Sequence, residues 1–176
     1  YPDGTPGQGY CITQKEDFPP VGVLNLQGQT FMKPIENPFF AANDAVSVMS
    51  QKATIIFVDM HAETTSEKIA MGRFLDGRVS AVVGTHTHVQ TADEQIFPNG
   101  TAFLCDAGCT GPQESILGRE IAPVLRRFMT CRPQRFGIAS KRVTLNGALI
   151  DIDVESGRAR SIDRVSELLP DVGTEA

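Results

Sequence analysis

Unbroken apolar runs alternate along this chain with segments whose apolar residues recur at helical spacing. The runs 55–58 and 79–83 are rich in β-branched residues, which is typical of strands covered on both faces. Between them, residues 64–67 have the Thr-x-x-Glu form of a capping box, and apolar residues continue at helical spacing to residue 75. The pattern predicts a strand, helix, strand unit over residues 54–83 with parallel strands.

The rest of the chain predicts further elements of the same two kinds. Asn37 suits a helix cap and Pro38 the first helical turn, so a helix is expected from there to about Lys52. The other predictions are strands over 9–13, 21–26 and 158–165, a helix over 120–129, and hairpin turns at 99–100 and 146–147, both Asn-Gly. Together these elements place the chain in the α/β class.

Composition and charge narrow the range of partners. With 176 residues, 41% of them hydrophobic and 21% charged, the chain is long enough and apolar enough for one domain with a core. The net charge is −5, and the sequence has no run of basic residues. Both observations argue against a nucleic-acid duplex as partner. The apolar runs fall far short of the ~20 residues that span a bilayer, so no membrane partner is expected.

The first residues and the cysteines indicate the cellular compartment of the protein and whether the chain is part of a longer one. The chain begins Tyr-Pro-Asp-Gly without Met or a secretion signal, which suggests a processed product or a piece of something longer. Its four cysteines form neither a CxxC pair nor a dense disulfide framework, so we expect a cytoplasmic protein with mostly buried thiols. Residues 170–176 predict a frayed end.

The three histidines all follow predicted strands. His61 comes after the first buried run, and His86 and His88 come after the second. If the two strands are parallel, the three imidazoles gather at the carboxyl edge of one sheet, where open α/β sheets bind ligands. The alternative is that they are ordinary loop and core histidines. Clustering of all three favours metal ligation, and Asp59 or Glu63 would then orient His61 from the outer shell.

The His-x-His spacing leaves the number of ions open. Two such side chains in extended backbone point at one ion, whereas a turn splays them toward two. Three histidines without a convincing carboxylate ligand would also describe a mononuclear zinc site, although that site would lack a candidate general base.

Long motifs around these histidines resemble a known family. The chain is similar to the bacterial calcineurin-like metallophosphoesterases of the YmdB-like group, and the likeness extends to about residue 165. The motifs that carry it are Asn-Leu-Gln-Gly over 25–28, Phe-Met-Lys-Pro over 31–34, Val-Asp-Met-His-Ala-Glu over 58–63, Thr-Ser-Glu-Lys over 65–68, Val-Gly-Thr-His-Thr-His-Val-Gln-Thr-Ala-Asp over 83–93 and Asp-Ala-Gly-Cys-Thr-Gly-Pro over 106–112. A bare Gly-Thr-His-x-His would indicate only the wider superfamily.

The resemblance implies a fold, a reaction and a ligand set. The fold would be a sandwich of two mixed sheets flanked by helices, with residues 1–168 as the carboxy-terminal part of one metallophosphoesterase domain and 169–176 as a frayed tail. The reaction would be hydrolysis of phosphodiesters, with 2',3'-cyclic nucleotides as substrates, by hydroxide bound to two divalent ions of Fe, Mn, Zn or Mg. His61 and His86 match ligands of one metal, and His88 matches a ligand of the other.

The family's remaining ligands, and the histidine that protonates its leaving group, match nothing in this chain and are expected upstream of Tyr1. The isolated chain is therefore expected to be weakly active or inactive. Thr110 and Gly111 are candidates for contact with substrate phosphate, although a tight turn would explain the glycine equally well. The alternative to an enzyme is a noncatalytic metal-binding or scaffold domain. A homo-oligomer is compatible with the sequence.

Overall fold

The elements follow the predicted alternation of strands and helices in the computed structural model, which describes residue 1 and residues 4–170. The first six are β1 (Tyr10–Thr13), β2 (Val21–Gln27), α1 (Pro38–Met49), β3 (Ile55–His61), α2 (Thr65–Phe74) and β4 (Ala81–Thr85). The next six are β5 (Gln95–Ile96), β6 (Ala102–Leu104), β7 (Gly111–Pro112), α3 (Ile121–Thr130), β8 (Val143–Ile152) and β9 (Ala159–Leu168). The predicted α/β class is confirmed.

Six strands form one mixed sheet, in the order β1-β2-β3-β4-β6-β5. The four inner strands are parallel to their inner neighbours, whereas β1 and β5 pair antiparallel at the two edges. The unit β3-α2-β4 is the predicted strand, helix, strand unit. Because β3 and β4 are parallel neighbours, His61 at the end of β3 lies in register with Thr85 at the end of β4.

Both faces of this sheet are covered, as the apolar runs predicted. Alternate residues of β3 and β4, among them Val58 and Val82, belong to the main core together with Met49 of α1 and Met71 of α2. On the opposite face, a smaller cluster joins Ala81 and Ala102 to Ala159 and to the partly buried Phe57, Ile150 and Ile162. The centre of the sheet is therefore rigidly packed up to the ends of its parallel strands.

The two helices of this core begin where predicted, but only one is capped as predicted. At α1, the Asn37 side chain accepts a hydrogen bond from the Phe39 N–H at 2.9 Å. At α2, Thr64 occupies the cap position without a side-chain capping bond. The predicted capping box is wrong because Glu67 instead accepts hydrogen bonds from the backbone N–H groups of Gln29 and Thr30, at 2.9 and 3.2 Å.

No helix within residues 4–170 has the length and apolar character that crossing a membrane requires. The longest, α1, has 12 residues.

The chain divides into two compact units, Tyr1–Gly108 with Ala148–Arg164, and Cys109–Gly147 with Val165–Ala176. Residues 171–176 of the second unit, and with them most of the predicted tail, lie outside the described residues. Strands β7, β8 and β9 form a three-stranded sheet in that order. In the second unit, Gly111 and Pro112 pair antiparallel with β8.

One of the two predicted hairpin turns is confirmed and the other is wrong. Gly100 has a φ of 98° and makes the turn between β5 and β6. Asn146 and Gly147 instead lie inside β8. The Asn146 side chain donates to the carbonyl oxygen of Cys109 at 2.9 Å. This bond to a distant segment replaces the local side-chain bond that an Asn-Gly turn would make.

The prediction of mostly buried thiols is also wrong. Cys105, directly after β6, is buried, whereas Cys109 is half-buried and Cys11 and Cys131 are exposed. Cys11 lies on the edge strand β1, and Cys131 is the left-handed residue that ends α3. All four thiols are free. Position in an edge strand and at a helix end, rather than residue type, sets their exposure.

Candidate metal centre

Two of the three predicted ligands meet at the carboxyl edge of the six-stranded sheet. His61 is the last residue of β3, and His86 directly follows the last residue of β4. Their rings lie edge to face with centroids 4.7 Å apart, and His86 Nδ1 is 3.0 Å from His61 Nε2. Strand register produces this contact, because Thr85 lies opposite His61 and the next residue turns over the sheet edge.

The third predicted ligand, His88, lies in the same loop but does not join this pair. Its side chain is exposed and, among the described residues, makes no hydrogen bond or ion pair. Both loop histidines have positive φ values, 105° for His86 and 66° for His88. Such values are uncommon for residues with a Cβ atom, and they turn the two imidazoles away from the alternating directions of a strand.

A chain of hydrogen bonds across three strands orients His61. The Asn25 amide on β2 donates to Asp59 of β3 at 2.7 Å, and the Thr85 hydroxyl of β4 donates to the other Asp59 oxygen at 2.7 Å. His61 Nδ1 lies 3.0 Å from that same hydroxyl oxygen. Because the hydroxyl proton is used on Asp59, we assign the proton of this contact to Nδ1, which leaves the Nε2 lone pair facing His86.

Glu63 completes the surroundings of His86. Its Oε2 lies 2.9 Å from His86 Nε2, while His86 Nδ1 faces the bare Nε2 of His61. His86 satisfies both contacts through hydrogen bonds only if both its ring nitrogens carry protons. A cation between the two rings would use both inner lone pairs instead. The donor chemistry of the His61–His86 pair therefore fits a divalent metal ion.

The pair by itself offers fewer donors than a metal ion takes. Within the described ranges, no group of three or more His, Cys, Asp or Glu side chains is arranged to hold a metal ion. Zinc and similar ions take four or more ligands in proteins. Among the described residues, the two facing imidazoles therefore offer two donors and fall short of a full ligand set.

The environment of His61 favours its neutral form. Burial lowers the pKa of His61, the neighbouring His86 lowers it further, and the charges of Asp59 and Asp106 partly oppose this shift. Metal binding requires an unprotonated imidazole nitrogen. His61 therefore has the protonation state of a ligand at neutral pH.

Two charged residues that the sequence did not single out hold the loop of His86 and His88. Lys68 of α2 and Asp106, both almost fully buried, form an ion pair at 2.8 Å. Asp106 also accepts hydrogen bonds from the Thr87 N–H and hydroxyl, at 3.0 and 2.7 Å, and from the Gly108 N–H at 2.9 Å. Burial would raise the pKa of Asp106, but Lys68 and these other donors hold it below its ordinary value.

One signal for Asp106 was available in the sequence. It opens the motif over 106–112 and follows β6, the strand next to β4 in the same sheet. Lys68 closes the motif over 65–68, but nothing in the sequence indicated its burial, because a lysine in an amphipathic helix normally faces solvent.

The two candidate substrate contacts lie in the second unit. The Thr110 hydroxyl donates to the Asn146 carbonyl oxygen at 3.2 Å, and Gly111 pairs with Thr144 of β8. Gly111 is therefore in a short strand and not in the tight turn offered as its alternative explanation. Contact of either residue with a substrate stays a prediction.

Comparison with known proteins identifies the chain's relatives. A family model described as YmdB-like protein matches residues 1–165. The 2',3'-cyclic-nucleotide 2'-phosphodiesterase of Bacillus subtilis is 47% identical over 165 residues, which are 94% of this chain and 62% of that protein. A putative phosphatase/phosphodiesterase of Mycoplasma genitalium is 32% identical over 86% of this chain and 54% of its own length. This chain thus spans less than two thirds of either relative.

Solved structures agree with the sequence comparison. A crystal structure of a hypothetical protein from Thermus thermophilus matches 97% of this chain and 66% of its own, with a TM-score of 0.89 and 38% identity. A crystal structure of a novel phosphatase from Mycoplasma pneumoniae matches 92% of this chain and 58% of its own, with a TM-score of 0.83 and 30% identity. The predicted metallophosphoesterase type of fold is confirmed, and the chain belongs to the YmdB-like family.

Proposed function

We propose that this chain is part of a metal-dependent phosphodiesterase that hydrolyses 2',3'-cyclic nucleotides. The observation that carries the proposal is the His61–His86 pair, whose inner ring nitrogens lie 3.0 Å apart at the carboxyl edge of the sheet. The 47% identity to the Bacillus subtilis enzyme supports the substrate class. We propose further that the remaining ligands lie in the part of the relatives outside the aligned residues.

The residues of this chain would bind and orient rather than react. His61 and His86 would hold one divalent ion of Fe, Mn, Zn or Mg, and His88 would contribute to a second. Such ions would lower the pKa of a water molecule and offset charge on the phosphate oxygens. Asp59 and Thr85 keep the His61 Nδ1 proton in place, so that Nε2 stays available to a metal.

The charge of the chain supports a small substrate over a polymer. The net charge of the whole chain is −5, which disfavours long-range attraction of a polyanion. A 2',3'-cyclic phosphate is a strained diester, so its opening does not require much distortion from a binding pocket. We therefore expect small cyclic nucleotides to be hydrolysed in preference to RNA.

The first experiment measures divalent metal binding to the parent chain and to His61→Ala, His86→Ala and His88→Ala. Isothermal titration with Mn²⁺ or Zn²⁺ should show binding to the parent that each of the first two variants abolishes. His88→Ala should remove only a second, weaker event. Equal binding by the parent and a His61→Ala/His86→Ala double variant would refute the ligand assignment.

The second experiment measures turnover of 2',3'-cyclic AMP, a phosphomonoester and single-stranded RNA with added Mn²⁺. The chain is assayed alone and mixed with the segment of the Bacillus subtilis enzyme outside the aligned residues. We expect weak or no activity alone and faster hydrolysis of the cyclic nucleotide in the mixture. Metal binding without turnover in either sample would favour the alternative, a noncatalytic metal-binding domain, and faster cleavage of RNA would refute the substrate class.

A further inference from the structure

A fully buried ion pair lies directly beneath the histidine loop. Lys68 and Asp106 have side-chain exposures of 0% and 1%, and their charged atoms are 2.8 Å apart. Removing two charges from water costs several kcal/mol per ion, and well-packed apolar residues of similar size often stabilise a protein as well or better. The pair is therefore poorly explained by stability alone.

The hydrogen bonds of Asp106 indicate what the pair does. One of its oxygens, Oδ2, accepts from Lys68 and from both the N–H and the hydroxyl of Thr87. The other, Oδ1, accepts from the Gly108 N–H. Thr87 is the residue between His86 and His88, so Asp106 binds the loop at the residue that separates the two histidines.

The backbone of this loop needs such support. A positive φ is strained for a residue other than glycine and persists only where the surrounding structure determines it. His86 and His88, on either side of Thr87, are both in that region. Thr87 lies between them, and its two hydrogen bonds to the buried Asp106 carboxylate hold both its backbone and its side chain.

Gly84 of β4 provides the space that the Lys68–Asp106 ion pair needs beneath the loop. A Cβ atom on Gly84 would lie 2.8 Å from Cδ of Lys68 and 1.7 Å from the carbonyl oxygen of Cys105. Because Gly84 has no side chain, the aliphatic part of Lys68 and the backbone of Cys105 can approach β4, the strand that precedes the histidine loop. The Ala107 N–H also donates to the Gly84 carbonyl oxygen at 2.9 Å, which ties the two segments together.

We infer that Lys68, Asp106 and Thr87 are positioning residues that aim His86 and His88 at the metal. The inference rests on the proposed function, since it assumes that these histidines are ligands. Lys68 keeps Asp106 charged and in place, Asp106 holds Thr87, and Thr87 fixes the left-handed turns on both sides of it. None of the three is expected to touch the metal or the substrate.

The test uses the hydroxyl of Thr87, because removing it deletes one hydrogen bond to Asp106 and keeps both charges of the ion pair. Thr87→Val deletes the hydroxyl, Thr87→Ser retains it, and Thr101→Val makes the same deletion elsewhere in the core. Thr101 is fully buried, and its hydroxyl bonds to the Val79 carbonyl and the Gly77 N–H, away from the histidines. Zn²⁺ affinity, unfolding by urea, and ¹H–¹⁵N spectra of the imidazole rings are measured for each chain.

Thr87→Val should weaken Zn²⁺ binding about ten-fold or more, as loss of outer-shell partners does in other metal sites. Its imidazole spectra should show that the His61–His86 contact is altered. Thr87→Ser should restore both properties, and Thr101→Val should lower stability while leaving both unchanged. Equal effects of Thr87→Val and Thr101→Val, or no rescue by serine, would overturn the inference.

The two proposals fail in different ways. If the parent chain binds no Zn²⁺, the proposed function fails, and the imidazole spectra alone still decide whether Thr87 positions His86. If the parent binds Zn²⁺ and Thr87→Val binds it equally well with unchanged spectra, the positioning role is refuted and the proposed function stands.

Discussion

The end of β3 and the loop after β4 each present an imidazole to the same site, but they hold it by different means. His61 is a strand residue, and hydrogen bonds between neighbouring strands orient its ring through Asp59 and Thr85. His86 lies beyond its strand with a positive φ, and its loop is held by a buried carboxylate about twenty residues further along the chain. Strand register supports the first imidazole, whereas long-range packing supports the second.

This difference indicates which substitutions should displace each imidazole. The sheet holds the backbone of His61 on both sides, so loss of one side-chain partner should leave the ring nearly in place. The loop of His86 and His88 lies beyond the strand ladder, and its middle residue, Thr87, bonds through both its N–H and its hydroxyl to one carboxylate, Asp106. Changes at the loop anchor should therefore have larger effects than the same changes in the strand network.

The largest difference is expected between the two aspartates. Asp106→Ala leaves the Lys68 charge buried and unpaired, which should lower the free energy of unfolding by about 3–5 kcal/mol. Asp59→Ala removes a half-buried hydrogen-bond partner and should cost about 1 kcal/mol. Urea unfolding of the two variants and the parent measures both values. Equal losses would mean that the loop and the strand are anchored to the same degree.

A second comparison concerns close packing beneath the loop. Gly84→Ala forces a Cβ atom against the Cys105 carbonyl oxygen, so we expect a loss of at least about 1–3 kcal/mol in the free energy of unfolding. Gly9→Ala is the matched control, because no atom lies within 4 Å of the added carbon there. Thermal and urea unfolding should show a clear loss for the first variant and little change for the second. Little change for both would refute the close approach.

A smaller effect is expected in the strand network. Thr85→Val removes the hydroxyl between Asp59 and His61, and it should cost about 1 kcal/mol because two polar groups lose a partner. Zn²⁺ affinity should fall as well, since the His61 tautomer is no longer fixed. Thr85→Ser is the control that keeps the hydroxyl. A larger loss of Zn²⁺ affinity for Thr85→Val than for Thr87→Val would reverse the ranking of strand and loop.

The smallest effects are expected in the dependence of stability on pH. The folded-state pKa of Asp106 is lowered from 3.8, so its contribution is present above about pH 4 and is lost as pH falls through that lowered pKa. The folded-state pKa of His61 is lowered from 6.5, so the unfolded chain takes up that proton first and stability declines as pH falls below about 6.5.

Two variants separate these pH ranges. Lys68→Met/Asp106→Leu should flatten the dependence below about pH 4, and His61→Gln should flatten it between about pH 5 and 7, when the free energy of unfolding is measured from about pH 2 to 8. Unchanged curves for both variants would show that neither environment is as described.

Local sequence patterns were sufficient for most of the fold. The cap at Asn37 and the unit β3-α2-β4 were predicted correctly, because each depends on residues within a few turns of one another. The capping box at Thr64 and the turn at Asn146 were wrong for one shared reason. In each case a polar side chain found a partner far away in sequence, and that partner replaced the local bond the motif normally makes.

The candidate site was predicted in part for the same reason. That His61 and His86 would meet follows from parallel pairing of two recognisable strands. The partners of Asp106 did not follow from any pattern, since Lys68 and Asp106 are 38 residues apart and a buried lysine is rare. The position of His88 beside the pair, and not in it, also depends on backbone angles that its sequence neighbours do not reveal.

By itself the sequence determined the α/β class, the order of the main elements and the presence of histidines at two neighbouring strand ends. Periodicity, caps and apolar runs act over short distances and are readable along the chain. Only the tertiary structure decided which polar groups face each other across strands and which charges are buried together. Burial makes an unpartnered polar group costly, so the final partners are chosen by packing of the whole core and not by proximity in sequence.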